Sequence, residues 1–251
     1  MRTVLAPALR AEWIKATSLR SIWLCLAIFV VGVAGIGIAV VASIGDVEAR
    51  QPDYDPSTVA FYGLNFGHVA VIVLAVLLTA GEYNRHTIHA SLVAVPKRAA
   101  FLAAKLGVGA VLVLLASAFA VPLTLLTARA VLGPTAVPVT EPAMLRSAVA
   151  AVLYVTLLTV LCMNIAMLIR NQAGAIGLLV PFFFLLSPLL ELVPVVQEAA
   201  AFLPDRAGAT ALRLESRPTD PFGPLTAMGV VICWAVASGI GAWAALRHRD
   251  A

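Results

Sequence analysis

The stretch SAVAAVLYVTLLTVLCMNIAMLIRNQAGAIGLLVPFFFLLSPLLELVP, residues 147–194, indicates the fold class of this chain. It contains two apolar runs, 147–169 and 173–194, and each is as long as the roughly 20 residues that a helix needs to cross a membrane. Only residues 170–172 separate the two runs, so the sequence predicts a tight hairpin of two transmembrane helices.

Four further apolar runs of similar length lie on either side of this hairpin. Each is free of charged residues, and they cover residues 22–44, 59–81, 106–128 and 224–246. Because a transmembrane helix satisfies its own backbone hydrogen bonds, such runs are expected to be helical. The sequence therefore predicts an all-α integral membrane protein, a single domain over residues 1–251 with six transmembrane helices.

The composition argues against several other classes of protein. Hydrophobic residues make up 61% of the 251 residues and charged residues only 12%, about half the charged content of soluble domains. So few charges are unsuited to a soluble enzyme, a disordered chain or a protein that binds nucleic acid. The three cysteines, Cys25, Cys162 and Cys233, lie inside apolar runs without metal-ligand spacing, so no metal site is expected.

The distribution of basic residues predicts the orientation in the membrane. With the N-terminus in the cytoplasm, every lysine (Lys15, Lys97 and Lys105) and most arginines fall on the cytoplasmic side, whereas most acidic residues fall outside. We therefore expect a multi-pass protein of the plasma membrane, in contact with membrane lipids, with both termini in the cytoplasm.

Two segments outside the six runs have patterns of their own. Residues 1–20 are expected to form an interfacial helix on the cytoplasmic membrane surface, with a stripe of Leu9, Trp13 and Ala16 and with Trp13 as its anchor. Residues 195–223 alternate apolar stretches with charges and are broken by repeated prolines. This outer segment is expected to dip into the membrane as short re-entrant helices.

The connection between the second and third runs reads GEYNRHTIHASLVAVPKRAAFLAAKL, residues 81–106. Glu82 is expected to end a transmembrane helix. Residues 87–93 are expected to form one or two helical turns that stop before Pro96, because the residue preceding a proline avoids the α region. Three basic residues are expected at the lipid headgroups, namely Lys97, Arg98 and Lys105.

This connection resembles a motif of the ABC-2 family of ATP-binding-cassette permeases, especially the compact actinobacterial exporter subunits. The family pattern runs approximately E-Y/F-x-x-G-T-[IL]-x-x-x-L-x-x-x-P-x-R and is followed by A-K. The residues that match it are Glu82, Tyr83, Thr87, Ile88, Leu92, Pro96, Arg98 and the Ala104–Lys105 pair. The stretch AEWIKATSLRSIWL, residues 11–24, is similar to the family's N-terminal E-W-x-K-x-x-S-x-R. His86 departs from the pattern, which often has glycine at that position.

The resemblance implies the ABC-2 fold, also called the type V exporter fold, with an N-terminal amphipathic helix, a coupling helix within residues 82–98 and re-entrant helices before the last span. It implies a permease subunit that moves an amphipathic or hydrophobic cargo (a drug, a peptide antibiotic or a lipid) outward. The implied partners are two copies of a separate ATPase and a second permease copy, identical or homologous. The coupling residues would be Glu82, Tyr83, Arg85, Thr87, Ile88, Leu92, Pro96 and Arg98.

The sequence has no phosphate-binding loop of the form GxxxxGK[ST], so ATP and magnesium are expected on the partner ATPase. No catalytic residue and no cofactor is expected in this chain. The alternative is a secondary transporter, or another polytopic membrane protein that acts without an ATPase. Secondary transporters typically have two related halves and central ionisable groups, which are not evident here.

A cationic partner is expected for Glu82, because the helix dipole disfavours a carboxylate at the C-terminal end of a helix. Arg85, Arg98 and a basic residue of the ATPase are the candidates. The alternative is a carboxylate solvated at the level of the headgroups.

Polar residues within the apolar runs are candidates for a cargo cavity or a gate, and they are Asn65, His68, Asn164 and Glu191. Hydrogen bonds between helices explain the three uncharged side chains equally well. For Glu191 the alternative is an ion pair within the outer segment, with Arg206 or Arg213 as its partner.

Overall fold

The computed structural model describes residues 2–48, 55–84, 87, 91, 93, 95, 97–133, 140–217 and 220–248. Regular structure in this part of the chain is helical. The helices are α1 (Arg2–Ser18), α2 (Arg20–Glu48), α3 (Pro56–Ala60), α4 (Tyr62–Asn84), α5 (Arg98–Leu132), α6 (Pro142–Ile169), α7 (Gln172–Pro181), α8 (Ser187–Glu191), α9 (Gln197–Ala200), α10 (Pro204–Leu212) and α11 (Pro224–His248), with a π-helical turn at Phe182–Leu186 between α7 and α8.

Six helical segments of the described residues are long and apolar enough to cross a membrane. They are α2, α4, α5, α6, the continuous α7–α8 segment with its π turn, and α11. The predicted all-α fold with six transmembrane helices is therefore confirmed. α4 and α6 are the most buried of the six and lie at the centre, where α4 packs on α2, α6 and α7, and α6 packs on α4, α5 and α11.

α4 packs closely on α2 through two glycines, Gly63 and Gly67. A Cβ atom at Gly63 would overlap the backbone oxygen of Val33, and one at Gly67 would overlap the side chains of Val33 and Phe29. Small residues at a contact between transmembrane helices let the two backbones approach each other. These glycines therefore set the distance between α2 and α4.

The second transmembrane helix differs from the predicted run 59–81. A separate short helix, α3, is capped at its start by Asp55, whose carboxylate accepts hydrogen bonds from the Ser57 N–H at 2.9 Å and the Ser57 hydroxyl at 2.6 Å. The chain turns at Phe61, and α4 then continues past Glu82. Glu82 therefore lies in the last turn of α4, which ends two residues later at Asn84.

The fifth predicted span, 173–194, corresponds to the continuous α7–α8 segment, which contains the π turn. Pro188 has no N–H with which to continue the helical ladder, and the N–H of Ser187 bonds to the carbonyl of Phe182, five residues earlier. The Ser187 side chain is buried at this point. α8 then ends at Glu191, before the predicted boundary.

α1 packs on the protein through a face that includes only Ala16 of its predicted apolar stripe. Ala8, Glu12 and Ala16 are buried, whereas Leu9 and Trp13 are exposed. The buried residues are spaced by four, so they lie on one face of the helix. Trp13 therefore remains on the surface of the protein.

The ends of the long helices form two faces. α1, the end of α4, the start of α5 and the end of α11 meet on one face, which we call the terminal face. There Arg98 at the start of α5 donates a hydrogen bond to the carbonyl of Leu246 at the end of α11. α3, the start of α6, α8 and α10 meet on the opposite face, which we call the distal face, where the Asp55 carboxylate accepts a hydrogen bond from the Leu214 N–H at 3.1 Å.

Candidate functional site

Four charged side chains on the terminal face form a closed ring of alternating charges, which we call the charge ring. Its members are Glu12 and Lys15 of α1, Glu82 of α4 and Lys105 of α5. The Lys15 ammonium pairs with Glu12 and lies 2.7 Å from the Glu82 carboxylate. The Lys105 ammonium lies 2.7 Å from Glu12 and 2.9 Å from Glu82. Each charge therefore has two partners of opposite sign.

Three of the four side chains of the charge ring are largely withdrawn from solvent, whereas 43% of the Lys15 side chain is exposed. Only 2% of the Lys105 side chain is exposed, and its ammonium also donates a hydrogen bond to the Leu78 carbonyl at 3.2 Å. The same ammonium lies 5.1 Å from the centre of the Phe101 ring, within the range of a cation–π interaction. Partial burial acts to lower the pKa of Lys15, but hydrogen bonds and charges from the two carboxylates of the ring outweigh it and raise the pKa above its ordinary value. Lys15 therefore stays charged at neutral pH.

This arrangement fastens three helices to one another. Removing one member of a buried ion pair typically costs about 3–5 kcal/mol, because the remaining charge loses its partner in surroundings of low polarity. The ring includes residues of α1, α4 and α5, so a displacement of one of these helices alone would separate paired charges. We infer that the three helices move together at the terminal face.

The partners of Glu82 differ from those expected. Arg98 donates hydrogen bonds to carbonyls at the end of α11, and Arg85 lies outside the described residues. The carboxylate binds Lys15 and Lys105 instead, and Lys105 is buried rather than at the lipid headgroups. Because these lysines are 67 and 23 residues from Glu82 in the sequence, no local pattern indicates which charges meet.

The connection that follows α4 has helical hydrogen bonds where it is described. The N–H groups of Ser91 and Val95 bond to the carbonyls of Thr87 and Ser91, four residues earlier in each case, at 3.1 and 3.0 Å. The Ser91 hydroxyl lies 3.4 Å from Lys15 Nζ and accepts a hydrogen bond that joins the connection to the charge ring. Thr87 and Val93 are exposed, Val93 to 82%. Three further residues that were expected to take part in coupling lie outside the described residues, namely Ile88, Leu92 and Pro96.

The end of α4 also contacts the hairpin between α6 and α7. The Arg170 guanidinium lies 5.3 Å from the centre of the Tyr83 ring, and the Asn84 side chain accepts a hydrogen bond from the Gln172 N–H at 3.3 Å. Arg170 has a φ of 57°, the left-handed conformation that ends α6 and turns the chain towards α7. Tyr83 and Asn84 therefore link the end of α4 to the tight hairpin.

A second polar site, which we call the distal cavity, has a volume of about 100 Å³ and lies between α3, α4, α6 and α10. Its polar lining includes Asn65 and His68 of α4, Tyr154 of α6, Asp205 of α10 and Arg213. His68 and Tyr154 are 7% and 2% exposed, and their rings meet edge to face with centres 5.4 Å apart. Within the described part of the chain, neither the His68 Nε2 atom nor the Tyr154 hydroxyl has a hydrogen-bond partner.

α10 forms one wall of the distal cavity and packs on α6. Gly208 lies so close to the Tyr154 ring that a Cβ atom would overlap it. At the end of α10, the hydroxyl of Ser147 donates a hydrogen bond to the carbonyl of Leu212. The outer segment predicted over residues 195–223 therefore includes a helix that is packed against the transmembrane bundle.

Charged groups fasten α10 to α8. The carboxylate of Asp205, which is buried, accepts a hydrogen bond from the Ser187 hydroxyl, which lies 2.6 and 2.7 Å from its two oxygens. The Arg206 guanidinium lies 2.9 Å from Asp205 and 2.7 Å from Glu191. The residue that follows the π turn, Ser187, therefore binds Asp205 at the start of α10.

The structure separates the residues that the sequence proposed for a cavity or a gate. Asn65 and His68 lie together in the distal cavity. Glu191 pairs with Arg206, one of its two candidate partners, beside the cavity wall. Asn164 lies elsewhere and donates a hydrogen bond to a serine hydroxyl of α11 at 3.1 Å, which is the interhelical alternative.

Sequence reasoning missed two residues of the distal cavity, Tyr154 and Asp205. The position of Tyr154 inside an apolar run could have indicated a polar site, because a buried tyrosine hydroxyl usually has a hydrogen-bond partner. Asp205 is one of several acidic residues between the last two spans, and the sequence does not distinguish it. Among the described residues there is no cluster of three or more metal-ligating side chains.

The model of a protein family matches most of the chain. The family is described as ABC-2 family transporter protein, and the match covers residues 8–187. This range contains the charge ring, the connection after α4 and the α4 and α6 walls of the distal cavity. A search of the curated proteins found no match.

Proposed function

The chain belongs to the ABC-2 family of transporters, and from this premise we propose that it is the permease subunit of an ATP-driven exporter whose ATPase is a separate chain. The chain is a multi-pass membrane protein of a family of transport subunits. In the proposed assembly, two ATPase copies bind ATP and magnesium and drive two permease copies, identical or homologous. The cargo is amphipathic or hydrophobic and moves out of the cell.

The observation that carries this proposal is the connection after α4, which in its described residues has helical hydrogen bonds, exposes Thr87 and Val93, and is joined to the charge ring through Ser91. A partner bound there would pull on α4 directly and on α1 and α5 through paired charges. The motion of an ATPase would therefore reach two transmembrane helices together. A cavity of about 250 Å³ lies beside the charge ring, between α1, α4, α5 and the connection.

We assign the coupling residues to two roles within this proposal. Residues 87–93 would enter a groove of the ATPase, with Ile88 and Leu92 as the apolar contacts that the family motif implies. Glu82 would hold the start of the connection on the charge ring, and Arg98 its end on α11. The remaining motif positions, Tyr83, Arg85 and Pro96, would set the course of the chain between these two points.

Orientation follows from the same proposal. If the ATPase is cytoplasmic, the terminal face is cytoplasmic too, and both termini lie in the cytoplasm of the cell. The basic residues of the terminal face support this orientation, since positively charged loops remain on the cytoplasmic side of a membrane. The exposed Trp13 of α1 would then lie at the inner membrane surface.

The substitution Val93→Asp tests the docking site. The permease is purified from its native membrane in mild detergent, and the bound ATPase is identified by mass spectrometry as a chain with a phosphate-binding loop. We expect the ATPase to copurify with the wild type and to be lost from Val93→Asp, because this exposed valine lies in the segment that would enter the groove, where a carboxylate would lose its hydration. The amount of permease in the membrane should stay the same.

A matched control is Val195→Asp, which introduces the same charge at a valine that is 92% exposed in the outer segment. This variant should retain the ATPase. Copurification of the ATPase with Val93→Asp would contradict the coupling assignment. A wild-type permease that transports without any ATPase would favour the secondary transporter.

A further inference from the structure

The distal cavity contains polar groups that the proposed coupling does not use. His68 and Tyr154 both line it, both are more than nine-tenths buried, and the His68 Nε2 atom and the Tyr154 hydroxyl have no partner in the described residues. A buried polar group without a hydrogen bond is destabilising, and folded proteins satisfy nearly all such groups. Two of them beside one cavity indicate a ligand that bonds to both.

The charges around the cavity disfavour an ionic ligand. The Asp205 carboxylate is already bound by Ser187 and Arg206, and the Arg213 guanidinium is paired with Asp220. Of the described residues that line the cavity, only Asp205 and Arg213 are charged, so an anion would lie beside the Asp205 carboxylate and a cation beside the Arg213 guanidinium. A neutral group avoids both costs.

The hydrogen-bonding capacity of the His68 Nε2 atom and the Tyr154 hydroxyl further limits which functional groups the ligand can have. The Tyr154 hydroxyl donates a hydrogen bond, and the Nε2 atom of neutral His68 either accepts or donates one. A carboxamide and an alcohol hydroxyl each donate and accept, so either can bond to both side chains. A volume of about 100 Å³ admits a group of this size but not a whole drug or lipid.

The surroundings of the cavity show where the rest of such a molecule would lie. Asn65 lines the cavity and is exposed, so the cavity opens to the surface beside this residue. The next residue, Phe66, is also exposed and contacts the exposed Phe184 edge to face, with ring centres 5.6 Å apart. Neither ring lines the cavity itself, but an apolar chain that leaves the cavity beside Asn65 could run over the helix surface to reach them.

We propose that the distal cavity binds the neutral head group, a carboxamide or a hydroxyl, of an amphipathic molecule whose apolar tail lies against Phe66 and Phe184. The inference rests on the proposed export function in one respect, that the amphipathic molecule with this head group is the exported cargo. The binding itself requires no ATPase. It can therefore be measured on the permease alone.

The test uses the full chain in lipid nanodiscs and four probes, namely octanamide, octanoate, octylammonium and acetamide. Affinity is measured from the dependence of the melting temperature on probe concentration. We expect saturable binding of octanamide, with a Kd about tenfold lower than those of the two charged probes of equal tail length. Acetamide should bind more weakly than octanamide, because it lacks the tail.

Two variants locate the binding. Tyr154→Phe removes the hydroxyl but keeps the ring on which Gly208 packs, and His68→Leu removes the ring nitrogens. Each should raise the Kd of octanamide about threefold to tenfold, the effect of one lost hydrogen bond. The control is Thr156→Val in α6, since the Thr156 hydroxyl bonds to the Val152 carbonyl of its own helix at 2.8 Å. Its Kd for octanamide should equal that of the wild type.

Several results would overturn the proposal. Equal binding of the three eight-carbon probes would show that only the tail partitions, and absence of saturable binding would show that the cavity holds only water. Equal affinity for acetamide and octanamide would exclude an amphipathic carrier. An unchanged Kd in Tyr154→Phe would place the head group elsewhere. A wild-type permease that transports without any ATPase, by contrast, would contradict the exporter and leave this binding measurement unaffected.

Discussion

At Gly63 the backbone of α4 lies closer to the Val33 carbonyl of α2 than any side chain permits, and at Gly208 the backbone of α10 lies on the Tyr154 ring. By contrast, Gly35 has no neighbouring atom within 4 Å of an added Cβ. Glycine weakens a helix relative to alanine. At Gly63 and Gly208 a close contact explains why glycine is present despite this cost, whereas at Gly35 the described residues make no such contact.

The substitution Gly63→Ala should therefore destabilise the protein by about 1–3 kcal/mol, because the obstacle is backbone and cannot rotate away. Thermal unfolding of the purified protein measures the effect as a lower melting temperature. The control Gly35→Ala adds the same methyl group to α2 in open space and should leave the melting temperature unchanged or slightly higher. A melting temperature of Gly63→Ala equal to that of the wild type would contradict the close contact between α2 and α4.

At the scale of elements, short helices are fastened to long ones by buried polar contacts. α1 is held by the charge ring, and α10 by Asp205, Gly208 and the Ser147 hydroxyl. α10 is thus part of the folded bundle, and its removal would uncover Tyr154 and leave the Ser147 and Ser187 hydroxyls without partners. Point substitutions are therefore better probes of the outer segment than deletions.

A double-mutant cycle tests the charge ring. Lys105→Met leaves two carboxylates and one ammonium, and Glu82→Gln leaves two ammonium groups and one carboxylate. Each single change should lower the stability, Lys105→Met by about 3–5 kcal/mol and Glu82→Gln by less, because Glu82 is partly exposed and Glu12 still pairs with both lysines.

The variant with both substitutions keeps the neutral Glu12–Lys15 pair, so it should be more stable than Lys105→Met alone. Denaturation of the three variants and the wild type gives the coupling free energy, which should be about 0.5–3 kcal/mol. Strictly additive effects would contradict the ring. In the complete exporter, Glu82→Gln should also lower cargo transport for each ATP hydrolysed.

At the scale of the whole molecule, the two faces have different chemistry. The terminal face has a charge ring and a connection with helical hydrogen bonds in its described residues, and the distal face has a small polar cavity under a packed helix. α4 and α6 are the central helices, and α4 takes part in both sites. In the proposed exporter, the ATPase acts on the first face and the cargo head group binds at the second.

Cysteine labelling tests the proposed orientation. In a background with alanine at Cys25, Cys162 and Cys233, a membrane-impermeant thiol reagent should label Arg2→Cys only after the cells are opened. The opposite control, Arg217→Cys at an exposed position of the outer segment, should be labelled in intact cells. The reverse pattern would place the terminal face outside and remove the basis for ATPase docking there.

By itself the sequence determined the all-α class, the six transmembrane helices and the connection after the second of them. These features depend on the length of apolar runs and on the placement of prolines and charges, which are local properties that the thickness of a bilayer selects. Only the tertiary structure decided that Lys105 meets Glu12, 93 residues away in the sequence, and that His68 meets Tyr154. The physical reason is that these transmembrane helices are apolar on nearly every side, so no amphipathic stripe indicates which face of each helix turns towards its neighbours. That choice is made by packing, through close contacts such as Gly63 on Val33 and Gly208 on Tyr154.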